Sequence, residues 1–314
     1  MKFAVIGAGG VGGYFGARLV ASGEDVMFLA RGAHREAMRT QGLRVVSTEG
    51  TVTVPPSRCA GTPADIGPVD VVLFCVKSYD TESTAAQLGP LLHPGTVIIS
   101  LQNGVDNEAQ ILARIPAGAV FGGVAYIYAT ITRPGEITEN GGPKKIIFGP
   151  FKGAPESHRQ RAAAILEAFR AAGISAEIAA DITAALWKKF IFITGAAGIT
   201  ALTRLTLGEI LAVDASRVLL LDAMTETSAV AQARGIRIEE GYLHGVFATL
   251  RRFDNNTRSS LYYDLSHGKP MEIDALSGTV VRYGAALGIP TPVHTTIYAA
   301  LLPYHLKHQQ VVAR

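Results

Sequence analysis

The chain has 314 residues, 48% hydrophobic and 18% charged, with a formal net charge of +3 at neutral pH. Such a balance excludes a disordered chain, and the length allows two domains with sizeable cores. The small, scattered basic excess gives no nucleic-acid footprint, and two cysteines, Cys59 and Cys75, exclude a disulfide scaffold. No run is expected to cross a membrane, because the most apolar stretch, Phe190 to Leu202, is short and holds two glycines. The N-terminus opens on a strand pattern without a signal-peptide cleavage site, so the expected compartment is the cytoplasm.

Lys2 to Ile6 reads as a buried strand that breaks into Gly7-Ala8-Gly9-Gly10-Val11-Gly12, with a helical pattern from Tyr14 to Ser22. Strand, glycine turn and helix in that order form the dinucleotide fingerprint, with Gly7, Gly9 and Gly12 at the motif positions. Gly7 permits the tight turn, Gly9 the approach of a pyrophosphate, and Gly12 close helix–strand packing. The helix N-terminus offers N–H groups and a positive dipole end to the phosphates. A second strand, Asp25 to Ala30, ends at Arg31, where an NAD-binding chain usually has an acid. A guanidinium there binds a 2′-phosphate, so Arg31 points to NADP(H); a merely solvated arginine is the alternative.

Further strands are expected at Val69–Val76 and Thr96–Leu101, with a ribbon at Leu43–Val54 turning at Glu49-Gly50. Asp80 to Leu92 and Asn107 to Ile115 read as helices between strands, and Ala119 to Ile127 as another strand. Alternation of this kind implies a doubly wound, mostly parallel sheet of Rossmann type. Lys77 and Asn103 fall at carboxyl ends of its strands, where ligands bind, with a solvated strand end and an Asn-Gly turn as the plain alternatives. Thr130 to Gly149 reads as hairpin strands extending the sheet, followed by a helix at Glu156–Ala172 and a strand at Ile174–Ile178. The domains expected are 1–179, a dinucleotide-binding α/β domain, and 180–314, an all-α domain, joined near Ala179–Asp181. Helices of the second are expected at Ile182–Thr203, Leu207–Gly235, Tyr242–Phe253, Gly278–Leu287 and Thr295–Leu306.

Within the first of these, Lys189 shares a face with Ala185, Leu186, Phe192 and Ile193. Such an ammonium either snorkels outward or stays partly desolvated with a depressed pKa, and the second state suits a general acid. Ser260 reads as a helix cap and Glu272 as an acid in a first helical turn.

Taken jointly, the glycine loop, Arg31, Val76-Lys77-Ser78, Leu101-Gln102-Asn103-Gly104, Trp187-Lys188-Lys189-Phe190, Arg258-Ser259-Ser260, Asp264, Lys269 to Asp274 and Gly288 to Pro292 make the whole chain resemble the ketopantoate reductases. The resemblance implies a Rossmann domain and a helical domain whose cleft binds NADPH and a branched 2-oxo acid, with no metal. It implies Lys189 as the general acid, Glu272 as a second catalytic carboxylate, Ser260 as a substrate ligand, and Asn103 and Lys77 on the cofactor side. The activity implied is reduction of 2-dehydropantoate to D-pantoate for pantothenate synthesis, and a homodimer is expected. One departure stands out: asparagines one and two turns after the lysine are replaced by Ile193 and Ala197, with Thr194 or Thr200 as candidate substitutes. Alternatives are a reductase of another branched or aromatic 2-oxo acid, and a non-catalytic NADPH sensor.

Overall fold

The computed structural model describes residues 1–250 and 255–312. The chain forms two compact units, Met1–Ala185 and Leu186–Arg314. In the first unit, strands β1 (Lys2–Ile6) and β2 (Asp25–Leu29) flank helix α1 (Gly10–Ala21), and α2 (Gly32–Gln41) follows. A ribbon of β3 (Leu43–Ser47) and β4 (Gly50–Val54) leads to β5 (Cys59–Ala60), α3 (Pro63–Ile66) and β6 (Val71–Phe74). Then come α4 (Thr81–Ala85), β7 (Val97–Ser100), α5 (Asn107–Leu112), β8 (Ala119–Tyr126), β9 (Ala129–Arg133) and β10 (Glu136–Glu139). The unit closes with β11 (Lys145–Gly149), α6 (Glu156–Ala171) and β12 (Ser175–Ile178), and α7 (Ile182–Thr203) begins at its end.

Eight strands form the main sheet in the order β12-β11-β8-β7-β6-β1-β2-β5, and every adjacent pair is parallel except β8–β11. Alternate residues of each buried strand serve opposite faces. Phe3 and Val5 join α1, α6 and the ribbon on one side, while Ala4 and Ile6 face the core that contains Ile66, Leu88 and Ile111. The strand order reverses between β1 and β6, which places the ligand-binding crevice beyond their carboxyl ends.

Contrary to the expectation from sequence, the β9–β10 hairpin does not extend this sheet. It joins the ribbon in a second sheet of order β4-β3-β10-β9, and only β11 lengthens the first. The reason lies in α1, whose Gly12 to Ala17 are buried on every side, so that the helix needs a layer on each face. Gly13 has no room for a Cβ beside Ile137 of β10, and Gly10 none beside the Ala129 carbonyl of β9.

Two expected helices are interrupted. In the Asp80–Leu92 stretch, α4 stops at Ala85 and a separate 3₁₀ turn covers Gly89–Leu91, because Pro90 cannot continue a helix. The Leu207–Gly235 stretch splits into α8 (Leu207–Ala212) and α9 (Asp214–Ala233), with Val213 extended between them. There the Ser216 hydroxyl lies 2.7 Å from the Ile210 carbonyl, which it serves as donor, while the Val213 carbonyl accepts the first bond of α9 from the Arg217 N–H. The remaining helices are α10 (Tyr242–Leu250), α11 (Ser260–Ser266), α12 (Thr279–Leu287) and α13 (Pro292–Val312). The expected end of α10 at Phe253 lies outside the described residues.

Helix α7 corrects the expectation that no run is long enough for a membrane: by length and composition Ile182–Thr203 qualifies, since the helix continues through Lys188 and Lys189. Its apolar window is 61% buried within the protein, as in a core helix. In the second unit Gly195 lies where a Cβ would meet Met224 of α9, and Gly198 where one would meet Ile297 of α13. These glycines let three helices pack closely around a buried Thr194–Thr227–His294 hydrogen-bonded chain.

Candidate active site

The candidate residues fall into two groups, one in each unit. In the first unit Gly7 turns the chain after β1 at φ +95°, with no room for a Cβ against the backbone of Cys75 and Val76. Both Gly7 and Ala8 donate their N–H groups to the Leu29 carbonyl, at 3.0 and 3.2 Å. Ala8 is thus spoken for by the fold itself, and its carbonyl also meets His34. Gly9 differs: a Cβ there would meet nothing within 4 Å, so the backbone stands open. It is the N-cap of α1, no described side chain caps that end, and the N–H groups at Gly10, Val11 and Gly12 lack intrahelical acceptors by position. An open glycine before an uncapped helix N-terminus fits a pyrophosphate. Gly12 sits hard against the Gly7 carbonyl, Val5 and Cys75, which fixes the helix to the strand.

His34 was not singled out from the sequence. The Gly135 N–H donates to its Nδ1 at 3.0 Å, so Nε2 carries the proton and donates to the Ala8 carbonyl at 2.9 Å. Burial pushes its pKa below the usual histidine value, in keeping with this neutral tautomer. The imidazole thereby ties the glycine loop to the β9–β10 turn. A histidine in a charged helix carries no local signal of that role.

Arg31 caps α2 at the end of β2, and its Nη2 lies 2.5 Å from Asp80 Oδ2. Lys77 follows β6 and starts the 3₁₀ turn Ser78–Asp80. Asn103 is half-buried after β7, and its carbonyl accepts from the Asn107 amide at 2.9 Å. A buried chain of side chains holds these two loops. Gln102 Nε2 donates to the Val76 carbonyl at 3.0 Å and to Thr81 at 2.8 Å, and Thr81 donates to Asn107 at 3.1 Å. Ser100 donates to Gln102 from the other end, and Ser100 also bonds the buried Glu108 carboxyl, whose pKa burial pushes up to about 7. Gln102 lies in a motif the sequence displays, but its partners Val76 and Thr81 are more than twenty residues away, beyond any local pattern.

In the second unit Lys189 lies on α7 half-buried. Burial draws its ammonium down to about pKa 8, against the opposing pull of the Glu272 carboxylate. Glu272 is 6% exposed and lies in the segment Met271–Asp274, whose two ends are tied to α13. The Met271 N–H donates to His305 Nδ1 at 3.0 Å, and the Tyr298 hydroxyl donates to Asp274 at 2.6 Å. A π-helical stretch, Asp274–Gly278, follows before α12, a local widening frequent at functional sites.

Ser260 corrects one expectation. Ser259 is the cap of α11 and accepts from the Tyr262 N–H at 3.0 Å, which leaves Ser260 exposed at the first helical position. Thr194 and Thr200 keep their hydroxyls engaged. The first donates to the Phe190 carbonyl at 2.8 Å and pairs with Thr227, and the second lies 2.7 Å from both the Ala196 carbonyl and Ser259. Neither is free to stand in for the missing asparagines, and Ile193 remains half-buried one turn after Lys189.

A family model described as ketopantoate reductase PanE/ApbA matches residues 3–153, and its C-terminal counterpart matches 181–305. The chain belongs to the ketopantoate reductase family. Its fold is therefore a Rossmann-type α/β domain followed by an all-α domain, and the family is one of dinucleotide-dependent oxidoreductases. The uncharacterized oxidoreductase YkpB of Bacillus subtilis is 33% identical over 306 residues, covering 97% of this chain and 99% of its own. A 2-dehydropantoate 2-reductase of Halobacterium salinarum is 32% identical, covering 95% and 96%. The crystal structure of a PanE/ApbA family ketopantoate reductase from Ralstonia eutropha JMP134 superposes with a TM-score of 0.88 at 31% identity, covering 98% and 100%.

Proposed function

We propose that this ketopantoate reductase family member reduces a 2-oxo acid with NADPH, and that the acid is 2-dehydropantoate, giving D-pantoate for pantothenate synthesis. The observation that carries the reading is Lys189, an ammonium drawn down to about pKa 8 by burial with Glu272 acting on it. Hydride addition to a ketone builds charge on oxygen, and a nearby ammonium both stabilises that charge and supplies the proton. In this reading residues 1–179 bind the dinucleotide and 180–314 hold the substrate and the acid.

The open backbone at Gly9 and the N-terminus of α1 hold the pyrophosphate, Arg31 the 2′-phosphate, and Lys77 and Asn103 the nicotinamide side. Bound NADPH supplies the hydride that the protein cannot. Lys189 donates its proton to the carbonyl oxygen, Glu272 and Ser260 orient polar groups of the substrate, and the product leaves as the 2-hydroxy acid. Support comes from relatives named 2-dehydropantoate 2-reductase over nearly their full length.

A second reading rests on Ile193 and Ala197. With Thr194 and Thr200 already bonded, the turns after Lys189 present apolar groups, which favours a 2-oxo acid with a branched or aromatic hydrocarbon side chain. NADPH consumption with 2-dehydropantoate and with a panel of such acids separates the two. Turnover with 2-dehydropantoate that Lys189→Ala lowers by about 10²–10⁴-fold, with NADPH binding kept, supports the first reading. Turnover confined to another acid replaces the substrate and keeps the mechanism. Tight NADPH binding without any turnover leaves a sensor instead.

A further inference from the structure

Arg31 does not face the ribose end of the dinucleotide site alone. Its partner Asp80 comes from the turn after β6, and β6 and β2 lie on either side of β1. The two side chains differ in freedom: that of Arg31 is 73% exposed, whereas that of Asp80 is 21% exposed. The backbone fixes the acid further. Its N–H donates to the Lys77 carbonyl at 2.9 Å, and its own carbonyl accepts from the Ser83 hydroxyl at 3.1 Å. Tyr79 adds a side-chain hydrogen bond to the guanidinium. Asp80 is thus the shorter and more buried member of the pair, set on a hydrogen-bonded turn, and Arg31 the longer and more exposed one.

At the end of β2, dinucleotide folds read the adenosine ribose: a carboxylate accepts the 2′-hydroxyl of NAD, and an arginine holds the 2′-phosphate of NADP. This chain has the arginine on β2 and brings a carboxylate to it from β6. We propose that Asp80 is a specificity-determining residue for the dinucleotide, accepting the ribose 2′-hydroxyl of NADH and withholding Arg31 from the 2′-phosphate of NADPH. The site takes both dinucleotides, and Asp80 narrows the preference for the phosphorylated one. With NADPH, Arg31 leaves the acid for the phosphate, and a carboxylate stays beside a dianion that it repels. With NADH the pair stays closed and the carboxylate gains a donor. The proposal rests on the reading of Arg31 as the 2′-phosphate ligand.

Calorimetric titration of the full chain with NADPH and with NADH tests it without reference to turnover. For Asp80→Asn the account expects NADPH to bind about three- to tenfold more tightly and NADH more weakly, moving their ratio by about tenfold or more. Asp80→Ser, which keeps a helix-starting side chain, is to move the ratio the same way, and it serves if the first variant does not fold. Arg31→Gln is to weaken NADPH alone. An unchanged ratio in the Asp80 variants, with Arg31→Gln still weakening NADPH, overturns the proposal and spares the reading of Arg31. No loss of NADPH affinity in Arg31→Gln overturns both.

Discussion

Two desolvated titratable groups, Lys189 and Glu108, carry separate pH predictions, one for activity and one for stability. As a proton donor Lys189 must be charged, and burial draws it to about pKa 8. Reduction is therefore expected to hold its kcat/KM through neutral pH and to lose it as pH rises through about 8; a profile flat to pH 10 would remove Lys189 from the role. Glu108 works on stability. Its folded pKa of about 7 stands above the ordinary 4.5, so the folded state binds more protons between those values. Its contribution to stability is then fullest below about pH 4.5 and is lost as pH rises through about 7. Glu108→Gln, which keeps the shape and removes the charge, is expected to stabilise the protein at pH 8 by up to about 3 kcal/mol and to do little near pH 4.5. Urea unfolding at the two pH values checks this, and equal effects at both would contradict it.

Among the elements, α7 joins the catalytic proposal to packing. A Cβ at its Gly195 would meet Met224 of α9, and one at Gly198 would meet Ile297 of α13 at 2.8 Å. Gly198→Ala gains helix propensity worth about 1 kcal/mol yet forces a methyl into Ile297. Overpacking of that kind typically costs about 1–3 kcal/mol, so a lower melting temperature is expected. Recovery in the double variant with Ile297→Ala or Ile297→Val would trace the loss to that contact. A higher melting temperature in the single variant would show that α13 yields freely. The same helix shows why its lysine is conspicuous: Lys189, Phe192 and Ile193 are half-buried one turn before the wholly buried run Gly195 to Ala201.

At the scale of the molecule, what the sequence displayed depended on how far apart the cooperating residues lie. The fingerprint was legible because its turn, its approach point and its packing glycine sit within six residues, each explained by one local demand. The parallel sheet followed from alternation of apolar strands and helices. Partners assembled by strand order were not legible: Arg31 and Asp80 meet because β2 and β6 flank β1, and Gln102 reaches Thr81 and Val76 across β7 and β6. The second sheet was missed because a hairpin pattern gives its strands but not the layer that claims them, and α1 decides that through its lack of side chains at Gly10 and Gly13. The cap of α11 was displaced by one residue since Ser259 and Ser260 are equal candidates until the backbone chooses. Family models cover 3–153 and 181–305, and the intervening residues hold α6 and β12, which complete the first unit.

The central claim is that Lys189 protonates a 2-oxo acid as hydride arrives from NADPH. Its most direct test is to supply 2-dehydropantoate with NADPH carrying deuterium at the transferable position and to follow the product by mass spectrometry, for the wild-type protein and for Lys189→Ala. The account predicts pantoate bearing the deuterium on its new C–H bond, formed at least about a hundredfold more slowly by the variant. Deuterated pantoate formed equally fast by both proteins would contradict it.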